Sequence, residues 1–160
     1  MDSFQIVKLS ATYRDWAVEL IEKYWTSNEV ISRGKIYDAN LLPGLIAMED
    51  NEPVGLITYH IVDNECEIVT LNTLIEGYGV GAQLIARVEN VARAAGCKRL
   101  WLITTNDNFP AIGYYQRRGF LMVAVHRYAI DEARKLKPEL PLYGIDSIPI
   151  RDEVEFEMLL

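Results

Sequence analysis

Residues 76–84 read Glu76-Gly77-Tyr78-Gly79-Val80-Gly81-Ala82-Gln83-Leu84, three alternate glycines that end a strand-like run and open an amphipathic helix. With no side chains at Gly77, Gly79 and Gly81, successive backbone N–H groups can turn inward on a phosphate. The helix N-terminus behind them adds partial positive charge. The stretch reads as an anion cradle at a strand-to-helix junction in the middle of the chain.

Upstream, Phe4 to Leu9 alternates as a strand does, and Thr12 to Trp25 sets Trp16, Leu20, Ile21 and Tyr24 on one helical stripe. The polar segment from Thr26 to Pro43 is weakly periodic and predicts a short second helix between loops. Leu45 to Met48 and Pro53 to Val62 flank Glu49-Asp50-Asn51-Glu52 as the arms of a hairpin, and Glu65 to Leu74 adds a third strand. Downstream, Val80, Leu84, Val88, Val91, Ala92 and Ala95 recur at helical spacing until Gly96. Arg99 to Thr104 then predicts a strand, Asn108 to Arg118 a short helix ended by Gly119, Phe120 to Ile130 a strand and Glu153 to Leu160 the last strand. The order β-α-(α)-β-β-β-α-β-α-β-β is that of a mixed α/β domain.

At 160 residues, half of them apolar, the chain can bury a sizeable core and is read as one domain, 1–160. A net charge of -7 removes the basic footprint of a nucleic-acid binder, disfavours an anionic membrane surface and suits a cationic partner. Cys66 and Cys97 show neither metal-ligand spacing nor a disulfide framework, so no metal is expected and both read as reduced thiols. Met1-Asp2-Ser3-Phe4 lacks a basic start and an apolar core of a leader, and no apolar run approaches membrane-spanning length, which points to a cytoplasmic protein. The connection 131–152 is long enough to predict an ordered lid or interface element that begins with a short helix.

Three ligand classes use glycines at such a junction. A P-loop needs Lys-Ser/Thr after the last glycine, where Ala82-Gln83 stands, and a dinucleotide fold wants an acidic residue at the end of the next strand, which reads Leu100-Trp101-Leu102-Ile103. The third option is the pyrophosphate of coenzyme A. A second segment, Asn108-Phe109-Pro110-Ala111-Ile112-Gly113-Tyr114-Tyr115, places Asn108 and Tyr115 two helical turns apart on one face, able to touch a ligand running along the helix. Taken alone, that pair reads more readily as a capping Asn and a core Tyr.

Together, in this order, the two segments resemble the GCN5-related N-acetyltransferase (GNAT) superfamily. Its pyrophosphate motif, Gln/Arg-x-x-Gly-x-Gly/Ala, aligns with Glu76 to Gly81, and its Asn-x-x-Ala helix with Tyr and Gly-Phe aligns with Asn108 to Phe120. The resemblance implies a central, mostly antiparallel mixed sheet of about seven strands flanked by helices, acetyl-CoA as cofactor, and direct attack of an acceptor amine on the thioester. It further implies that Val69, Thr70 and Leu71 pair with pantetheine like an added strand, that Gly77, Tyr78, Gly79, Val80, Gly81 and Ala82 hold the pyrophosphate, that Asn108 binds the pantetheine side, and that Tyr115 protonates the departing thiolate.

Some relatives place a base at the position of Ile103, so that role falls to Glu67 or to Asp107. Glu76, where Gln or Arg is usual, sets a negative charge beside the pyrophosphate. Tyr114, His60 and His126 read as structural, and Arg117 and Arg118 as a solvated helix end. The expected acceptor is a small-molecule or peptide amine, with a homodimer left open as the assembly. The competing reading is a GNAT-like module that binds acetyl-CoA without efficient turnover.

Overall fold

The structure, a computed structural model, describes residues 4–160. Residues 1–3, part of the segment read above as lacking a leader, lie outside the described residues. In chain order the elements are β1 (Gln5–Lys8), α1 (Ala11–Trp25), β2 (Glu29–Ser32), β3 (Lys35–Asp38), β4 (Gly44–Glu49), β5 (Glu52–Val62), β6 (Glu65–Thr73), α2 (Val80–Ala94), β7 (Arg99–Thr105), α3 (Phe109–Arg117), β8 (Leu121–His126), α4 (Ala129–Leu136) and β9 (Glu153–Leu159). Seven strands form one sheet in the order β1-β4-β5-β6-β7-β9-β8, antiparallel except where β6 meets β7. This is the mostly antiparallel mixed sheet that the resemblance implies. No helix among the described residues is long and apolar enough to cross a membrane.

The sheet is buried on both faces because the two sides of each central strand meet different helices. Leu45, Ala47 and Ile57 point toward α2, whose Val80, Leu84, Ile85, Val88 and Ala92 form the apolar stripe read from the sequence. Ile46 and Leu56, one residue out of phase, point toward Ala17, Leu20 and Ile21 of α1 and toward Val30 and Tyr37. At the open edge of the sheet, Leu121, Met122, Val123 and Val125 of β8 remain exposed.

Two sequence expectations are corrected. Thr26 to Pro43 holds no second helix; it folds as the antiparallel hairpin β2–β3 across Arg33-Gly34, whose φ values of 49° and 77° are those of a tight two-residue turn. Val30-Ile31 and Ile36-Tyr37 supply the strand residues on either side, and Val30, Ser32 and Tyr37 are buried by it. The strand expected over Phe120 to Ile130 ends at His126, because the chain turns at Tyr128 (φ 63°), whose N–H donates to Asp152 Oδ1 at 2.9 Å, and helix α4 begins.

The long connection is ordered, as expected. Arg134 donates to the carbonyls of Pro141 and Ile150, each at 2.6 Å, and Asn106 Nδ2 donates to the Pro149 carbonyl at 2.9 Å. The loop thereby folds back over the ends of β7 and β9.

β6 and β7 pair only where Glu65–Glu67 lie beside Arg99–Trp101, and then diverge. A bulge in β6 opposite Thr58 and Tyr59 leaves Val69 out of register and bends the strand away. Arg99 ties the closed end of this wedge: it donates to Glu65 at 2.8 Å on β6 and to Glu155 and Glu157 on β9 at 2.8 and 3.0 Å. Burial pushes the Glu155 carboxyl up, but the hydrogen bonds from Arg99 and His126 outweigh it and hold the group below the ordinary range. Its contribution to stability is therefore present above the ordinary glutamate pKa and is lost as pH falls through the lowered one. Arg99→Ala, which leaves three carboxylates facing one another, is expected to cost about 1–3 kcal/mol at neutral pH and clearly less in acid, read from urea unfolding at the two pH values.

Candidate active site

Past Glu67 and Trp101 the diverging strands enclose a cavity of about 480 Å³, walled by Ile68 to Asn72 of β6, Leu102 to Thr105 of β7, and Ile130, Ala133 and Lys137 of α4 and the residue after it. A second cavity, of about 510 Å³, lies between the glycine loop and α3. Leu71, Ala111 and Tyr115 line both, so the two spaces meet at those side chains. A ligand entering by the glycine loop would end where a second ligand enters from the other side.

The glycine loop is built for an anion. Gly79 caps α2 with φ 72° and Gly77 has φ 82°, conformations that side chains disfavour, and a Cβ at either would meet nothing within 4 Å. The first helical hydrogen bond runs from Gln83 N–H to the Gly79 carbonyl at 3.1 Å, which leaves the N–H groups of Val80, Gly81 and Ala82 unclaimed by the helix. Gly81 serves a different purpose from its two neighbours. A Cβ there would sit 2.4 Å from the Tyr114 hydroxyl, so its bareness lets α3 close onto α2. Glu76 lines the same cavity but is exposed, where water and salt screen its charge. Tyr78 and Ala82 line neither cavity.

On α3, Asn108 Oδ1 accepts the Ala111 N–H at 3.3 Å while the residue also lines the 480 Å³ cavity, so capping and cavity lining fall to one side chain. Pro110 sits in the first turn, where its missing N–H costs nothing. The Tyr115 ring is fixed edge-on by Tyr114 and Phe120 at 5.4 and 5.7 Å between centroids and tilted against Phe156. Its hydroxyl has no hydrogen-bond partner among the described residues, and burial, followed by the Tyr114 hydroxyl, pushes its pKa above the ordinary 10.0. The phenol stays protonated across the physiological range. Arg118 stacks over Tyr114 at 4.2 Å.

Glu67 lines neither cavity. It is 2% exposed, with Tyr37 donating to Oε1 at 2.6 Å and Ser32 to Oε2 at 2.5 Å. Desolvation pushes its carboxyl up; the Ser32 and Tyr37 bonds and Lys35 oppose the rise, Glu153 adds to it, and the net shift is upward. Glu153 is itself buried on the cavity wall and accepts from Arg33, from the guanidinium at 3.0 Å and from the backbone N–H at 3.3 Å. Asp107, the alternative base, is turned into the long connection, accepting from Thr105 Oγ1 at 2.5 Å and from the Ile145 N–H at 3.1 Å. His60 meets the Lys35 ammonium at 3.0 Å and His126 meets Glu155 at 2.9 Å, both away from the cavities.

The sequence reading missed Ser32, Tyr37 and Lys137. The first two were legible only once Arg33-Gly34 was seen as a hairpin turn. Lys137, 4% exposed, donates to the carbonyls of Trp25 and Glu29 and pins the connection to the end of α1. Asn72 Oδ1, on the cavity wall, is buried with no partner among the described residues.

Compared with known proteins, residues 9–120 match the model of the acetyltransferase (GNAT) family. The chain belongs to that family. Two curated relatives, both from Bacillus subtilis (strain 168), are of similar length: the uncharacterized protein YdhI, 41% identical over 89% of each chain, and the uncharacterized protein YxbD, 39% identical over 88% of this chain and 89% of its own. Among solved structures, a GNAT family acetyltransferase from Elizabethkingia anophelis with acetyl-CoA bound superposes over the whole of both chains with a TM-score of 0.72 at 21% identity. That likeness is one of fold, and it includes the seven-stranded sheet on which this GNAT chain builds its two cavities.

Proposed function

We propose that this GNAT protein transfers an acetyl group from acetyl-CoA to an acceptor amine in the splayed region between β6 and β7. The observation that carries the reading is that two cavities meet at Tyr115, one floored by the anion-binding end of α2 and the other walled by apolar strands and Glu153. The residues present suit acetyl-CoA: unclaimed amides at Val80, Gly81 and Ala82, open space at Gly77 and Gly79, and the buried, unpartnered Asn72 Oδ1. The structure from Elizabethkingia anophelis holds that ligand on the same fold.

When bound, acetyl-CoA supplies an activated thioester. The diverging backbone of Val69, Thr70 and Leu71 is free of β7 and offers its N–H and C=O groups to an extended chain. Asn108 fixes the end of α3 beside it. Tyr115 stands at the junction with a protonated, uncommitted hydroxyl, placed to donate to a departing thiolate. Glu67, bonded by two hydroxyls and with its pKa shifted upward by burial, serves as the base for the amine. No nucleophilic side chain is invoked, since both cysteines are buried free thiols with burial raising each pKa, a state that also suits a cytoplasmic location.

The acceptor site combines apolar walls (Val30, Ile68, Leu102, Ile103) with one buried carboxylate, which suits a primary amine on an apolar body. The test is thiol release from acetyl-CoA with benzylamine, phenethylamine, spermidine, lysine and a short peptide with a free N-terminus. Amine-dependent release with acetylated product is expected, and acetyl-CoA at about 100 times its Kd is expected to add about 2.7 kcal/mol of stability. Stabilisation without release for any amine would instead support the binding-module reading.

A further inference from the structure

We propose that the Ser32 hydroxyl is the proton conduit between the acceptor ammonium and Glu67. The inference rests on the acetyltransferase reading above and on Glu67 as base, and it names a catalytic residue supplied by the β2–β3 hairpin. Three observations lead to it. Glu67 lines neither cavity and is 2% exposed, so an amine in the 480 Å³ cavity cannot reach its carboxylate directly. Ser32 lines that cavity and donates its hydroxyl to Glu67 Oε2 at 2.5 Å. Tyr37, which occupies Oε1 at 2.6 Å, lines neither cavity; it orients the carboxylate and leaves Ser32 as the hydroxyl between the 480 Å³ cavity and Glu67.

A serine hydroxyl can donate one proton and accept another at once. As an N–H bond of the ammonium breaks, an O–H bond forms on Ser32 Oγ, and the proton originally on Oγ passes to Glu67 Oε2. The ammonium becomes a neutral amine with a free lone pair, Glu67 becomes a neutral carboxylic acid, and Ser32 is unchanged. No oxidant or reductant takes part. After the product leaves, the proton returns along the same path to water in the cavity.

The groups facing Glu67 favour this traffic. From the hairpin come Ser32, Tyr37 and Lys35, and from β9 comes Glu153, neutralised by Arg33. Burial and Glu153 make Glu67 a stronger base than an exposed glutamate, while the two hydroxyls and Lys35 oppose that rise.

The test compares wild type with Ser32→Ala, Ser32→Thr and Glu67→Gln, each saturated with acetyl-CoA and assayed with the amine of the panel above that wild type turns over fastest. Ser32→Ala is expected to lower kcat/KM by about 10- to 100-fold, given the 10²- to 10⁴-fold that general acid–base catalysis contributes and that water partly replaces the hydroxyl. Ser32→Thr, which keeps the hydroxyl, should restore most of the rate. In mixtures of H₂O and D₂O, wild type should show a curved dependence of rate on deuterium content, the mark of two protons moving together, and Ser32→Ala a linear one. Acetyl-CoA affinity should be the same in all four proteins.

Glu67→Gln should lose the acid limb of the pH–rate profile that wild type shows above the ordinary glutamate range. If wild type turns over an amine while Ser32→Ala stays within about twofold of it, or is slow with an unchanged deuterium curve and pH profile, the relay is wrong and the acetyltransferase reading stands. If wild type turns over no amine, the acetyltransferase reading itself fails and takes the relay with it. Should Ser32→Ala not fold, retention of the curved deuterium dependence in Glu67→Gln would overturn the relay equally.

Discussion

Tyr115→Phe is expected to lower kcat by about 100-fold or more while leaving acetyl-CoA affinity within about twofold of wild type. The ring is held by packing against the rings of Tyr114, Phe120 and Phe156, and its hydroxyl makes no hydrogen bond among the described residues, so phenylalanine keeps the packing. Only the proton donor at the meeting point of the two cavities is lost. Because that hydroxyl has no partner among the described residues, its removal should not lower the melting temperature measurably. A phenol whose pKa lies above the ordinary 10.0 stays protonated through neutral pH, so wild-type kcat should show no basic limb there from this group. Steady-state kinetics beside calorimetric titration of coenzyme A separate the two effects. Unchanged kcat would remove Tyr115 from the chemistry.

Gly79→Asp is expected to weaken coenzyme A binding by at least about 100-fold without unfolding the protein. Its Cβ would meet no atom within 4 Å, so nothing in the fold is displaced, and the φ of 72° adds strain of about 1–2 kcal/mol. The carboxylate, however, would stand at the mouth of the amides of Val80, Gly81 and Ala82, repelling an anion and competing for the same donors. Gly79→Ala carries the strain without the charge and should lose far less affinity. Equal losses in the two variants would show that backbone strain, and not anion competition, sets the effect. The analogous change at Gly81 is a poorer test, since Tyr114 lies in its way and Tyr115 packs on Tyr114.

What was legible in the sequence was what one segment carries by itself. The glycine run needs only its own backbone and the apolar stripe of α2, and Asn108 with Tyr115 needs only helical spacing. The hairpin β2–β3 was missed because each of its strands has four residues, too few for periodicity to outweigh a polar composition, and because Arg-Gly is a weaker turn signal than Asn-Gly. With it went Ser32 and Tyr37, so Glu67 could be named from its place before the glycine loop but not the hydroxyls that hold it. The bulge at Val69 and the parting of β6 from β7 depend on pairing between distant segments, which no local pattern encodes. Gly81 was read as one of three equivalent glycines, although its bareness answers to Tyr114, 33 positions away.

The central claim is that the two cavities form one reaction path joined at Tyr115, and a crystal structure of the protein with coenzyme A tests it most directly. The account predicts the pyrophosphate on the amides at the start of α2, pantetheine along Val69 to Leu71, the sulfur within hydrogen-bonding reach of the Tyr115 hydroxyl, and the cavity beside Ser32 still open for an amine. A sulfur far from Tyr115, or coenzyme A filling the space between β6 and Ser32, would contradict it.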